Sequence, residues 1–363
     1  MKRWLFKFRG FDWVLALSAF LLVCFGLVAI YSVTLSGEGA NWDLLTRQLV
    51  AVALGLGLFF GLAFFDYQLL QSYARWLYGF GLLILTAVLI FGSSLRGTKG
   101  WFVIGGWSFQ PVEVVKIVVI IFLAYYFSRQ SRPLNQLKYF IISGLGVLAA
   151  FALTILQPDF GSGLILFFLW LGVVLVIGPR WWHLALLLVA GLAVFLLAWN
   201  FAFAPYQKDR IRTFLDPAAD PLGAGYNVSQ SMIAIGAGGW TGQGLSLGSQ
   251  SQLRFLPEAQ TDFVFAVIAE ELGLLGVLLL LGLWSLIFWR LFVIARRCHD
   301  DFSLFLILGI ILLFLIHLLM NIGMNLGLAP VTGITLPLVS YGGSSLIFML
   351  GAIGIAESVR LRN

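Results

Sequence analysis

Charge is scarce in this chain. Sixteen acidic and 22 basic residues are spread over 363, so charged side chains make up only 10%. Soluble domains carry roughly a quarter, which excludes a soluble globular protein. A sequence pI of about 9.4 invites a nucleic-acid reading, but most of the basic residues sit in short loops between apolar runs, where they set orientation. Cysteine is nearly missing: Cys24 and Cys298 give neither metal-ligand spacing nor a disulfide framework. His183, His299 and His317 are scattered and form no ligand cluster. What abounds is apolar surface, 61% of residues at a mean hydropathy of +0.99. Repeated apolar runs of about 20 residues predict an all-α polytopic membrane protein.

Ten spans are expected, at roughly 12–34, 46–65, 73–92, 111–128, 138–156, 161–178, 182–204, 263–289, 302–326 and 336–357, in one integral-membrane domain covering 1–363. The first run follows "MKRWLFKFRG"; it is too long for the apolar region of a signal peptide and lacks a clean cleavage site, so it reads as a retained span. An even number of spans puts both termini on one side. Fourteen Lys and Arg fall in the segments on that side and seven in those on the other, which makes the termini cytoplasmic. Two outer segments stand out. Residues 93–110 mix aromatics, glycines and cations like an interfacial loop. Residues 205–262 form the long outer loop, with "YQKDRIRTFL" as a short amphipathic helix, "DPAADPLGAGY" turn-rich and "NVSQSMIAIG" helical again.

Several polar groups are out of place in so apolar a chain. Asp262 opens the eighth span in "FLPEAQTDFVFAVIAEELG", residues 255–273. A carboxylate beside hydrocarbon is costly, so it marks a site. In "FQPVEVVK", Pro111 suits the first helical position, Glu113 the first turn, and Lys116 follows three residues later on the same face. The two form either a structural ion pair or a cation, held by Glu113, that is presented to an anionic substrate group. Asp159 in "LQPDFGSG" either caps the sixth span or adds a second carboxylate to an outer cavity. "GAGGWTGQGLSLGSQSQ", residues 236–252, is not a P-loop; it is either a linker or a cradle of backbone N–H groups for phosphate. "PLVSYGGSS", 337–345, interrupts the tenth span and allows close helix contact. Glu270 and Glu271 read as interior hydrogen-bonding groups, and His317 as a helix-packing hydrogen bond.

Taken together, "FQPVEVVK", "QPDFGSG", "DPLGAGY", "QSMIAIGAGG", "FLPEAQTDFVFAVIAEELG" and "PLVSYGGSS" closely resemble the SEDS family (shape, elongation, division and sporulation), in order and over essentially the whole chain. "DPAADPLGAGY" and the short termini look more like the elongation (RodA) type than the division (FtsW) type. One departure is Val112, where the family usually has serine. The resemblance implies a ten-span peptidoglycan glycosyltransferase in the bacterial cytoplasmic membrane. It would polymerise lipid II, a polyprenyl-pyrophosphate-linked disaccharide peptide, at the outer face. A class B penicillin-binding protein is implied as transpeptidase partner. The essential aspartate of the family's pattern falls on Asp262.

The chemistry fits those residues. A sugar hydroxyl attacks an anomeric carbon while polyprenyl pyrophosphate leaves, and inversion needs one carboxylate as base. A pyrophosphate leaves without an acid once its charge is matched. Lys116, an arginine, the glycine-rich loop or a divalent cation such as Mg2+ or Mn2+ are the candidates for that task; no other cofactor is expected. The expected base is Asp262, and the expected substrate contacts are Lys116, Glu113, Asp159, Arg210, Arg254, Glu258, Gln230 and Ser340. A lipid II flippase is the rival, and it predicts polar groups through the whole membrane depth.

Overall fold

The computed structural model describes residues 10–35, 42–95, 97–130, 137–178, 180–201, 205–216 and 224–363. The long helices are α1 (Trp13–Thr34), α2 (Trp42–Phe64), α3 (Tyr67–Phe91), α4 (Pro111–Ser128), α5 (Leu137–Leu156), α6 (Phe160–Ile177) and α7 (Trp181–Phe201), followed after the outer loop by three more. That loop carries α8 (Pro205–Leu215), α9 (Ala224–Gly238) and the single turn α10 (Ser249–Gln252). The chain ends with α11 (Val264–Ala295), α12 (Asp301–Asn325) and α13 (Gly343–Arg360). Among the described residues nine of these helices are long and apolar enough to cross a membrane, and α7, of 21 residues, is a further apolar helix between the sixth and seventh of them. The ten expected spans are therefore all present as helices.

α4 sits innermost. Its residues are buried on nearly every side, Glu113 and Lys116 included, because α3 and α12 pack against it. α13 lies on α2, so closely that a Cβ on Gly354 would stand 2.5 Å from the carbonyl oxygen of Phe59. Small residues thus supply the contact that lipid, as apolar as the helices, cannot drive.

The start of α1 and the end of α13 meet at one end of the bundle. The Asp12 N–H donates to Glu357 Oε2 at 3.2 Å, and the Asp12 carboxylate accepts from Arg290 Nη2 at 2.6 Å and Nε at 2.9 Å. Arg360 Nε lies 3.4 Å from the same carboxylate. The buried acid of α1 is thereby tied to α11 and α13.

Three places depart from the sequence reading. Residues 93–110 are not a plain loop but an antiparallel sheet, β1 (Ser93–Leu95), β2 (Thr98–Ile104) and β3 (Trp107–Phe109), in the order β1-β2-β3. Gly105 and Gly106, at φ 57° and 83°, make the two-residue turn that a right-twisted hairpin favours. The tenth span starts at Gly343 rather than 336, because "PLVSYG" is non-helical, with Leu338 at φ 63°. The eighth helix runs past its expected end to Ala295, and the piece after Gly273, about 22 residues at about 1.5 Å each, is about 33 Å long, close to the roughly 30 Å of a bilayer core. It breaks at Gly273, φ 64° and ψ −161°, leaving a nine-residue piece that carries Glu270 and Glu271.

Candidate functional site

A cavity of about 460 Å3 opens at the end of the bundle opposite Asp12 and Glu357. α2, α4, α6, α11 and α13 all begin there, and each contributes a lining residue from its first turns or the residues just before: Arg47 and Gln48, Gln110 and Glu113, Asp159 and Ser162, Asp262, and Gly343 to Ser345. Five helix N-termini give that end a positive potential. It offsets part of the burden of three carboxylates among its charged lining residues. The sheet adds Trp101 and Trp107, and the segment before α13 adds Thr332 to Thr335 and Tyr341.

Asp262 is half-buried and fixed through its backbone. Its carbonyl oxygen accepts from Asn321 Nδ2 and Asn325 Nδ2, both at 3.0 Å. The preceding residue is held as well, since Ser340 Oγ donates to the Thr261 carbonyl at 2.5 Å. Tyr341 N donates to the Gln260 carbonyl at 2.8 Å. Gln48 anchors the other side of that segment, bonding Ser340 O and Gly342 N at 3.3 Å each. The two strands of chain that carry Glu258, at φ 51°, and Leu338, at φ 63°, are thus locked to one another. Non-glycine residues adopt such angles at a cost, and only where their surroundings hold them there.

Lys116 Nζ lies 2.9 Å from Glu113 Oε1 and 3.2 Å from His317 Nε2. His317 Nδ1 stands 2.8 Å from the Leu313 carbonyl oxygen. A carbonyl only accepts, so Nδ1 carries the proton and the unprotonated Nε2 accepts from the lysine. His317 is therefore more than a packing contact: it lines the cavity and steers Lys116. Asp159 plays both of its expected parts. Oδ1 caps α6 by accepting from Ser162 N at 3.0 Å, and Oδ2 accepts from Gln110 Nε2 at 3.0 Å inside the cavity.

Other expected contacts fall elsewhere. Gln230, Arg254, Glu258 and Ser340 are not among the cavity's lining residues. Ser340 is a bracket between Leu336 N and Thr261 O, and Glu258 accepts from Thr261 Oγ1 at 3.1 Å. The side chain of Arg210 lies outside the described residues. The glycine-rich segment is bonded largely within the protein. Four of its N–H groups serve the piece of α11 before the break, Gln243 and Gly244 donating to the carbonyls of Glu270 and Glu271, and Gln250 and Ser251 to the Glu270 carboxylate. Among the described residues no group of three His, Cys, Asp or Glu side chains could hold a metal ion.

Arg47, Gln48, Asn321, Asn325 and His317 are the site residues that sequence reading missed or undervalued. A signal existed for two of them, since Asn321 and Asn325 are amides four residues apart in an apolar helix and so share a face.

Comparison with known proteins gives a consistent picture. The family model FTSW_RODA_SPOVE, described as cell cycle protein, matches residues 12–363. Peptidoglycan glycosyltransferase MrdB of Escherichia coli (strain K12) is 38% identical over 344 residues, 93% of this chain and 92% of the relative. The probable peptidoglycan glycosyltransferase FtsW of Thiomicrospira cyclica is 38% identical over 365 residues, 97% and 92%. In structure, a chain of a peptidoglycan synthase complex that coordinates polymerization and crosslinking superposes with a TM-score of 0.83 at 36% identity, covering 96% of this chain and 97% of that one. The crystal structure of the rod shape determining protein RodA of Thermus thermophilus gives 0.72 at 33% identity, with 96% of each covered.

Proposed function

The chain belongs to the FtsW, RodA and SpoVE family of cell cycle proteins, and on that premise we propose that it is an integral-membrane peptidoglycan glycosyltransferase of the elongation type, with Asp262 as its catalytic base. The observation that carries the residue assignment is the cavity itself. It brings Asp262 to the point where five helices begin, on a backbone held by Asn321, Asn325 and Ser340.

The substrate is lipid II, and the cavity faces the outer leaflet, where that lipid's disaccharide is presented. Asp262 accepts the proton of an acceptor sugar hydroxyl as its oxygen bonds to the donor's anomeric carbon. The bond from that carbon to the pyrophosphate oxygen breaks on the opposite face, inverting the carbon. The electron pair leaves with polyprenyl pyrophosphate. Its charge is met by Arg47, exposed at the cavity, and by the helix N-termini. The transpeptidase partner is a class B penicillin-binding protein. The sheet over 93–109 and the outer helices α8 and α9 are the parts its extracytoplasmic domain can reach.

A flippase would need polar lining at both ends of the bundle. The charged and amide lining of this cavity is gathered at one end, which favours the enzyme. The test is purified protein in detergent or liposomes with labelled lipid II, with and without the partner, read for polymer on a gel. Transbilayer movement of the lipid without any polymer would reverse the assignment.

A further inference from the structure

The pair Glu113–Lys116 is ion-paired and buried, and it lines the cavity with His317. Its bonding leaves a definite remainder. An ammonium has three N–H donors. Glu113 Oε1 takes one and His317 Nε2 takes another, so one remains. Glu113 is 6% exposed, and its second oxygen, Oε2, accepts no hydrogen bond from the described residues. Thr332 Oγ1, which lines the same cavity, is also buried without a partner among the described residues. A buried carboxylate oxygen left unpaired is costly.

One donor and one acceptor side by side do not suit a phosphate. Phosphate oxygens only accept, and a phosphate at Lys116 would lie against the buried Glu113 carboxylate, of like charge. The pair as a whole is neutral and adds no net attraction for an anion. A secondary amide suits it: the amide N–H would donate to Glu113 Oε2, and the amide oxygen would accept from Lys116 Nζ. Peptidoglycan is a polymer of N-acetylated hexosamines, each with one such amide at C2. We infer that Glu113 and Lys116, set by His317, form a subsite for the N-acetyl group of a hexosamine, and that the pyrophosphate binds elsewhere, toward Arg47. This rests on the glycosyltransferase reading and revises the expectation that Lys116 meets the pyrophosphate.

His317 is the positioning residue of this subsite. With its tautomer fixed by the Leu313 carbonyl, it is a permanent acceptor that turns one lysine N–H away from the ligand. A leucine there would free the ammonium to swing, whereas a glutamine offers an acceptor oxygen in its place.

The test compares natural lipid II with two analogues, each lacking the N-acetylamino group of one hexosamine (2-deoxy), in the polymerisation assay. On the wild-type protein one analogue should lose about 100-fold or more in kcat/KM, as expected when a site built to hydrogen-bond a group meets a substrate without it. Glu113→Gln and His317→Leu should shrink that discrimination to less than about tenfold, mainly by raising KM for the natural substrate. His317→Gln should restore it. Both analogues turning over within about threefold of natural lipid II would overturn the inference while leaving the enzyme assignment intact. Loss of competition by inorganic pyrophosphate in Lys116→Gln would also overturn it. No polymer from wild type on natural lipid II would remove the glycosyltransferase reading and this inference together.

Discussion

The side-chain amide of Asn325 stands in for a missing peptide hydrogen bond at Asp262. Asn325 Nδ2 donates to the Asp262 carbonyl at 3.0 Å, and Asn325 Oδ1 accepts from Ala266 N at 3.2 Å. In a continuous helix those two backbone groups would bond each other. The insertion holds Asp262 just outside α11 while leaving its carbonyl satisfied.

Asn325→Ala should therefore act on Asp262 at a distance. It leaves the Ala266 N–H unpaired in a buried setting, at about 1–3 kcal/mol. It also lets the carboxylate drift, which should lower kcat by on the order of 100-fold. Polymerisation kinetics and thermal unfolding in detergent check both halves. Wild-type kcat in this variant would show that the inserted amide has no part in placing the base.

Asp262→Asn keeps size and shape but cannot take a proton. Polymer formation should fall by about 10²–10⁴-fold, with expression and melting temperature near those of the wild type. An asparagine variant that polymerises lipid II at the wild-type rate would remove Asp262 as the base.

Lys116→Met should cost about 3–5 kcal/mol, because it strands Glu113 as a buried, unpaired acid. Replacing both members, Glu113→Leu with Lys116→Met, should recover much of that stability and none of the activity. Thermal melts and the polymer assay, run on the same preparations, separate the two effects. Recovery of activity in the double variant would make the pair a structural one.

Orientation has its own test. Burial, with the Asp300 charge nearby, pushes the Cys298 thiol up, so its thiolate is scarce at neutral pH and maleimide labelling should be slow until the pH rises well above 8. In a background with Cys24 and Cys298 replaced by serine, Trp107→Cys, at an exposed position, should react with a membrane-impermeant maleimide on intact spheroplasts. Arg297→Cys should react only after lysis. The opposite pattern would turn the cavity to the cytoplasm and end the lipid II polymerase reading.

Much of this architecture is legible in the sequence because apolar runs and rare charges speak clearly. Asp262, Asp159 and the Glu113–Lys116 pair are visible as acids or ion pairs where a span begins. The partners that position them are not. His317 reaches Lys116 across 201 positions, and Asn325 reaches Asp262 across 63. Nothing in the periodicity of α12 announces the inward face, because lipid and protein interior are equally apolar. The glycine-rich segment is ambiguous for a related reason. Its composition suits a phosphate cradle as well as it suits the backbone groups exposed by the break at Gly273, and only tertiary docking chooses between them. The sheet at 93–109 is a plainer omission, since two adjacent glycines between aromatic stretches are a hairpin signal.

The clasp between α1 and α13 has a consequence for biosynthesis. Asp12 enters the membrane region with the first helix, but Arg290 is 278 residues downstream and Glu357 is 345. At about 5–20 residues per second, the ribosome needs roughly 15–55 s to deliver the cation that neutralises Asp12. The strap to the last helix comes several seconds later. Throughout that interval an acid that will be buried must keep to water or to the insertion machinery. Closure of this clasp thus waits until α11 and α13 have been made, and a chain stalled before Arg290 keeps its first helix unclasped.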